Sequence, residues 1–324
     1  MNAPAPAPGC VLITSAARKV WLVEAFRRAL AAEGGGEVLA ADCDALAPAL
    51  YRADRGLRLP RADAPGYEAT LLDLCRRERV ELLVPTRDAE LPWFAERRAR
   101  FAEIGTRVLV SAPAAIERCR DKRAFADFCA AHGFATPPAV TLPAAADDFP
   151  LFAKPRVGQG SGGARRIESA AGLAGLDAEH WIVQRFDGGP EYTLDVCAGF
   201  DGTVLSVVPR RRLQVLAGES ITGVTVMDPA LVELGAAVVR ALGLIGHATV
   251  QCFHDAAGSR LIEVNPRFGG GAALGFAAGA DSPRWLLRLA RGGSVEPQLG
   301  CQRDGLYLLR HSHDVFVAAE DVCR

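Results

Sequence analysis

The sequence lacks the features that mark membrane-spanning, nucleic-acid-binding and secreted proteins. Of its 324 residues, 37 are Lys or Arg and 38 are Asp or Glu, so no excess of one charge predicts a nucleic acid or an anionic membrane as partner. The most apolar later stretch, residues 268–280, is rich in glycine and alanine and too short to span a bilayer. These absences leave a soluble globular protein as the expectation.

Export signals and paired cysteines are missing as well. The first nine residues, MNAPAPAPG, have no basic segment and no apolar segment, so residues 1–9 are predicted to be a disordered leader. The nine cysteines form no CxxC pair and no zinc-ligand spacing, which predicts reduced and mostly buried thiols. We therefore expect a cytoplasmic location.

Strands and helices alternate over the first third of the chain, which predicts a parallel sheet in an α/β domain. The residues at the carboxyl ends of its strands then face one crevice, where Arg18 and Asp88 are candidates for substrate contact. The segment TSAARK stands where a dinucleotide-binding domain would carry GxGxxG. Asp42 alone is therefore not enough to predict an NAD site.

The pattern changes after residue 113. One amphipathic helix is predicted over 114–133 and a strand, glycine-rich turn and strand over 150–167. The turn GQGSGGA at 158–164 can close backbone N–H groups on phosphate oxygens, with charge from Lys154. No lysine follows Gly163, so this is not a Walker motif. The alternative is a flexible hairpin tip without a ligand.

The segment RLIEVNPRFGGG places Glu263, Asn265 and Arg267 on alternate positions of a strand. Gln251 lies on the neighbouring strand of a predicted hairpin, HATVQCFHD. These oxygen donors suit Mg²⁺ held together with nucleotide phosphates, and Arg267 could stabilise a transferring phosphoryl group. The alternative is a polar sheet face held by salt bridges.

A run of three arginines follows the apolar segment VLSVVP. Arg210 and Arg212 would share one face of a strand and could bind carboxylate or phosphate in bidentate fashion. Glu219, in the same segment, is a further candidate for substrate contact. The alternative is a solvated charged run.

The order of these segments resembles the ATP-grasp superfamily, and most closely its branch related to the large chain of carbamoyl phosphate synthetase. The resemblance runs from Val11 to about Arg291. It implies an α/β fold, with a Rossmann-like pre-ATP-grasp domain at 10–113 and an ATP-grasp domain at 114–324. Two α+β subdomains of the latter, one of them a flap subdomain at about 125–186, would clamp ATP.

The resemblance also implies roles for individual residues. Glu191 would bind the ribose, Gln184 would accept from the adenine amino group, and Gln251, Glu263 and Asn265 would be metal ligands. Arg267, with Arg210 and Arg212, would act on the phosphorylated intermediate. The implied ATP-binding residues are Lys122, Lys154, Gly160, Ser161, Gly162, Gly163, Gln184, Arg185, Phe186 and Glu191.

The implied function is an ADP-forming ligase that joins a small carboxylate to an amine through an acyl phosphate. It would use ATP and one or two Mg²⁺ ions, which Mn²⁺ could replace. A homodimer is compatible with this expectation. One alternative phosphorylates bicarbonate, as carbamoyl phosphate synthetases and carboxylases do. Another is a nucleotide-binding protein without catalysis.

Overall fold

The computed structural model describes residues 9–142, 144–145, 148–158, 162–216 and 218–323. The described part of the chain contains no helix long and apolar enough to cross a membrane. Most of the cysteines are buried, as the sequence predicts, and Cys43 and Cys301 are exposed.

The first domain is a five-stranded parallel sheet in the order β3-β2-β1-β4-β5. Its strands are β1 (Cys10–Thr14), β2 (Glu37–Asp42), β3 (Arg55–Arg58), β4 (Val80–Pro85) and β5 (Arg107–Val108). Its helices are α1 (Val20–Ala32), α2 (Tyr67–Arg77) and α3 (Leu91–Ala102). The predicted α/β class is confirmed, although β3 was missed because its sequence, RGLR, has no apolar run.

The helix predicted over 114–133 is two helices, α4 (Pro113–Arg120) and α5 (Lys122–Ala131). Asp121 between them has an extended backbone, and its carboxylate accepts hydrogen bonds from the N–H groups of Arg123 and Ala124 at 2.9 and 3.3 Å. This is an N-cap, which satisfies N–H groups that have no partner within the helix. The break places Lys122 at the first position of α5.

A small antiparallel sheet follows, in the order β7-β6-β8. Its strands are β6 (Leu151–Pro155), β7 (Arg165–Ile167) and β8 (Trp181–Arg185). The glycine-rich segment connects β6 to β7, as predicted, and Leu151, Ala153, Ile167 and Val183 form a separate small core behind it.

The larger sheet is six-stranded and antiparallel, in the order β13-β12-β9-β10-β11-β14. Its strands are β9 (Glu191–Ala198), β10 (Val204–Leu216), β11 (Glu219–Thr225), β12 (Gly246–Asp255), β13 (Gly258–Asn265) and β14 (Tyr307–Leu309). The helices of this part are α6 (Pro229–Leu242), α7 (Ala273–Ala277) and α8 (Ser282–Ala290).

The two halves of the protein share one hydrophobic core. Phe26 of α1 packs edge-on against Phe268, with ring centroids 5.9 Å apart, and the same cluster includes Ile13 and Leu286. Apolar burial on both sides of a junction resists separation of the two parts. The carboxyl ends of the parallel strands are therefore held close to the end of β13.

Candidate functional site

The antiparallel hairpin of β12 and β13 places Gln251 directly opposite Glu263. The Nδ2 group of Asn265 donates to Gln251 Oε1 and to Glu263 Oε1, each at 3.2 Å. Gln251 in turn donates from Nε2 to Glu191 Oε1 at 2.9 Å. The three predicted metal-binding residues and the predicted ribose-binding residue therefore form one connected group.

This group fits Mg²⁺. The electropositive Nδ2 of Asn265 lies between an amide oxygen and a carboxylate oxygen, which is where a cation would be attracted. Rotation of the Asn265 amide by half a turn brings its oxygen to the same place, so that three hard oxygen ligands converge. No cluster of three His, Cys, Asp or Glu occurs in the described ranges. A site with Glu263 as its one carboxylate suits a metal that arrives with phosphate groups.

Two lysines face the same cleft as these oxygen ligands. Lys154 is 7% exposed and donates to the Ile262 carbonyl at 3.2 Å. Burial lowers the pKa of Lys154 to about 8, although the charge of Glu263 acts in the opposite direction. Lys122, at the start of α5, donates to the Gly158 carbonyl at 3.2 Å. A buried ammonium group with so few partners is suited to an anionic ligand.

The cleft brings together most of the residues predicted to bind the nucleotide. Of these, it is lined by Lys122, Lys154, Gly162, Gln184, Arg185, Phe186 and Glu191. Two of the predicted metal ligands, Gln251 and Glu263, and one of the predicted catalytic arginines, Arg212, line it as well. Gly163 has a left-handed backbone, with φ of 76°. Gly160 and Ser161, predicted to close over the phosphates, lie outside the described residues.

Gln184 is buried at the other end of the cleft and donates from Nε2 to the Pro137 carbonyl at 2.9 Å. This bond leaves its oxygen as the group that can accept from an adenine amino group. The backbone N–H groups of Arg185 and Phe186 donate to the carbonyls of Pro138 and Pro150. These two N–H groups already have partners within the protein. Arg185 and Phe186 therefore line the cleft with atoms other than their backbone N–H groups.

The structure places Arg210 and Arg212 in different surroundings. Arg210 is 3% exposed and its Nε donates to Asp195 at 2.7 Å. Burial opposes ionisation of Asp195, but the charge of Arg210 and contacts with His247 hold the pKa of this carboxyl below its usual range. Arg210 lies against Gly271, in the glycine run 269–271 that follows Arg267, and is not among the residues that line the cleft. Arg212 does line the cleft, where it pairs with Glu191.

Arg267 contacts the first domain. Its Nε and a terminal nitrogen donate to the two carboxylate oxygens of Asp88 at 2.9 and 2.6 Å. Two of the sequence candidates, far apart in the chain, are thereby brought together. Glu219 pairs with Arg310 on the other side of Gly270. Arg18 is exposed, and none of the residues that the structure describes pairs with it.

Lys19 and Glu90 were not singled out from the sequence, although both lie in strand-end segments. Lys19 donates to the Ser15 carbonyl at 3.2 Å. Glu90 is 6% exposed, accepts a hydrogen bond from Ser15, and has its Oε2 buried without a partner among the described residues. Burial raises the pKa of Glu90. A charged residue at the carboxyl end of a predicted strand was the one signal in the sequence for Lys19 and Glu90. The sequence does not indicate how far their side chains are buried.

A model for the PylC-like N-terminal domain matches residues 11–109, and a model described as ATP-grasp in the biosynthetic pathway with Ter operon matches residues 177–308. Residues 177–308 thus match an ATP-grasp family. The resemblance to ATP-grasp proteins found in the sequence is thereby confirmed. No curated protein matches the sequence.

Several solved structures share the fold of this chain. The biotin carboxylase of Campylobacter jejuni, in a complex described as beta-gamma-ATP, is 14% identical with a TM-score of 0.71, covering 92% of this chain and 74% of its own. The biotin carboxylase domain dimer of the Hydrogenobacter thermophilus 2-oxoglutarate carboxylase, in complex with MgADP, ADP and bicarbonate, is 18% identical with a TM-score of 0.68, covering 92% and 73%. An L-amino acid ligase from Bacillus licheniformis is 18% identical with a TM-score of 0.67, covering 90% and 76%.

Neither family model covers the middle of the chain. Residues 110–176, which carry Lys122, Lys154 and the glycine-rich turn, lie between the two matches. The assignment of phosphate contacts to these lysines therefore depends on the geometry of the cleft.

Proposed function

We propose that this protein is an ATP-dependent, ADP-forming ligase that joins a small carboxylate to an amine through an acyl phosphate. The observation that carries the proposal is the arrangement of Lys122 and Lys154 opposite Gln251 and Glu263 in one cleft. Such a cleft suits the phosphate tail of ATP, and the superfamily supports an ATP-using enzyme. A homodimer remains a proposal, suggested by the dimer of the Hydrogenobacter domain.

The first step would be transfer of the γ-phosphoryl group. One oxygen of the substrate carboxylate attacks the γ-phosphorus, the bond to the β,γ-bridging oxygen breaks, and ADP leaves. Lys122 and Lys154 would hold the phosphates, while Gln184 and Glu191 would orient base and ribose. Gln251, Glu263 and Asn265 would hold Mg²⁺, which when bound supplies positive charge at the phosphate oxygens. Positioning and charge neutralisation carry most of such a reaction.

The second step would form the C–N bond. The neutral amine attacks the carbonyl carbon of the acyl phosphate, inorganic phosphate leaves, and the amine loses a proton. Arg267 would stabilise negative charge on the carbonyl oxygen, while Asp88 fixes the plane of its guanidinium. Arg210 would act indirectly. Its bond to Asp195 holds its guanidinium against Gly271, four residues after Arg267, and so fixes the position of that loop.

The fate of oxygen and phosphate tests this route. The purified protein is incubated with ATP, Mg²⁺, pooled ¹⁸O-labelled carboxylic acids and pooled amines, and the products are analysed by mass spectrometry. We expect ADP, phosphate carrying one label, and a condensed product. AMP, or phosphate without label, would sink the proposal. Glu263→Gln should abolish turnover without unfolding, whereas Glu233→Gln, at an exposed position of α6, is the matched control.

Phosphorylation of bicarbonate is the second candidate, favoured by the fold shared with the two biotin carboxylases. It predicts ADP formation that needs bicarbonate and no other carboxylate. ATP binding without any ADP formation across the pools would instead favour a non-catalytic nucleotide-binding protein.

A further inference from the structure

The sequence contains three lysines, at positions 19, 122 and 154. Lys122 and Lys154 line the nucleotide cleft, whereas Lys19 lies in the turn between β1 and α1 of the first domain. Lys19 is partly buried, and its Nζ donates to the Ser15 carbonyl at 3.2 Å. Within the described part of the chain no carboxylate is close enough to form an ion pair with it. Its charge thus lacks a direct protein counter-ion.

The turn that carries Lys19 has an unusual backbone. Ser15 and Ala17 have φ of 49° and 46°, a left-handed conformation that costs free energy in residues other than glycine. It is held in place by Thr86, whose Oγ1 donates to the Ser15 carbonyl at 2.7 Å, by Asp42, which accepts from the Ala17 N–H at 2.8 Å, and by the bond from Ser15 to Glu90. Strain supported by so many side chains is typical of functional turns.

Hydrogen bonds connect Lys19 and Arg267 to the same strand end: Lys19 and Thr86 both donate to the Ser15 carbonyl, and Asp88, two residues after Thr86, accepts from Arg267. Burial, and next the positive charge of Arg267, lower the pKa of Lys19, while Asp42, Glu219 and Glu90 act in the opposite direction. Arg267 is already paired with Asp88, whereas Lys19 has no ion-pair partner among the described residues, so the charge of Lys19 is the one left without a counter-ion. An anion beside Lys19 would supply that counter-ion and would accept a charge-assisted hydrogen bond.

We infer that Lys19 binds an anionic group, a carboxylate or a phosphate ester, on the amine substrate. This inference rests on the proposed ligase function and names the class of its acceptor. Lys19 does not line the nucleotide cleft, where the carboxylate that is phosphorylated must meet ATP, so the acceptor is the substrate left for it. Glu219 pairs with Arg310 but its side chain stays 61% exposed, and its carboxylate lies against Gly270, three residues after Arg267, so that it suits the ammonium end of the same molecule. The acceptor is then an amino acid or an aminoalkyl phosphate, and not a simple amine.

Calorimetry on the full chain saturated with ADP and Mg²⁺ tests this directly. The probes are the standard amino acids, their α-amides, 2-aminoethyl phosphate and ethanolamine. We expect at least one anionic amine to bind about tenfold or more tightly than its neutral analogue, the size of one charge-assisted hydrogen bond. The two sources of the anion are separated by whether an amino acid or 2-aminoethyl phosphate binds. Lys19→Met should abolish the preference and Lys19→Arg should retain most of it, which also shows that the site tolerates substitution.

Arg27→Met is the matched control, since it removes a positive charge from the solvent side of the same helix. Equal binding of acids and amides, no binding of any anionic amine, or unchanged preference in Lys19→Met would each overturn the inference. Hydroxylamine traps the acyl phosphate as a hydroxamate without any acceptor. It therefore tests the ligase proposal separately from the assignment of Lys19 to the acceptor. Wild-type protein that forms neither ADP nor hydroxamate overturns the ligase proposal. Hydroxamate formation should persist in Lys19→Met, and its loss would move Lys19 to the donor site and overturn the acceptor assignment.

Discussion

Gln251 and Glu191 are joined by a hydrogen bond of 2.9 Å from an amide Nε2 to a carboxylate Oε1. The bond uses the donor end of Gln251 and leaves its oxygen facing Asn265, which donates to it. The position is thus an oxygen ligand without a negative charge. Because Glu263 is the one carboxylate among the three predicted metal ligands, metal affinity should depend on phosphates supplied by the nucleotide.

The first prediction follows from this charge count. Mg²⁺ should bind weakly to the protein alone and much more tightly when ADP is present. Gln251→Glu adds a second carboxylate and should strengthen binding of Mg²⁺ alone by about tenfold, while Gln251→Ala should raise the Mg²⁺ needed for turnover by a similar factor. Calorimetry with and without ADP measures the first effect. Tight Mg²⁺ binding by the free wild-type protein would contradict the charge argument.

Lys154→Met should weaken nucleotide binding by about 1.5 to 3 kcal/mol, the range for hydrogen bonds to charged groups. Methionine preserves the apolar stem of this buried side chain, so that the loss reflects charge and not a cavity. Arg118→Met on α4, an exposed position, is the control. Titration with ADP measures the affinity, and an unchanged value would remove Lys154 from the phosphate site.

Glu33 should stabilise the domain junction in a pH-dependent way. It accepts hydrogen bonds from Arg284 and Arg288, the latter at 2.7 and 3.0 Å. The bond from Arg288 is the main cause that holds the pKa of Glu33 below its ordinary value of 4.5. Folding therefore favours the ionised carboxylate, and this stabilisation is complete above the ordinary value and disappears as pH falls through the lowered pKa.

Glu33→Gln should accordingly lower the melting temperature by roughly 2–4 °C at pH 7, a small effect because both arginines are partly solvated. The difference between the two proteins should shrink as the pH is taken below 4.5. Thermal scans across this range provide the measurement. A difference that is constant with pH would show that the ion pairs contribute nothing.

Gly271→Ala should destabilise the protein by about 1–3 kcal/mol, as overpacking of a filled interior does. A Cβ at this position would lie 2.5 Å from a terminal nitrogen of Arg210, which cannot move freely because Asp195 holds it. Gly275→Ala is the control, because its Cβ would meet Val208 at an ordinary 3.6 Å. Urea unfolding of both variants measures the effect, and equal stabilities would contradict the packing argument.

The sequence predicts best those features that depend on neighbouring residues. The hairpin containing Gln251 and Glu263 follows from alternation of apolar and polar residues and from the short turn between the strands, and the structure pairs these two residues directly. The break at Asp121 was missed because apolar spacing continues through it, although aspartate is a preferred N-cap and could have signalled it.

Features that depend on distant residues were not predictable in the same way. Nothing local in the sequence indicates that Asp88 pairs with Arg267, or that a carboxylate on β9 neutralises Arg210. The alternation of residues along the strand predicts Arg210 and Arg212 on one face of the sheet. In the structure Arg210 is buried and paired with Asp195, whereas Arg212 lines the cleft and pairs with Glu191. The partner of a charge is decided by tertiary packing, which a pattern of residue types does not specify.

The pairing of Asp88 with Arg267 has a consequence for how this chain can be rebuilt. Each domain supplies one member, so a chimera that exchanges the first domain for another of the same fold would leave Arg267 with a new neighbour. Such a hybrid would keep the residues of the nucleotide cleft and should still bind ATP. The Arg267 guanidinium, which we propose acts on the carbonyl oxygen, would however be misaligned. Recombination at residue 113 is therefore expected to conserve binding and lose turnover, unless the incoming domain places an acidic residue at the same point.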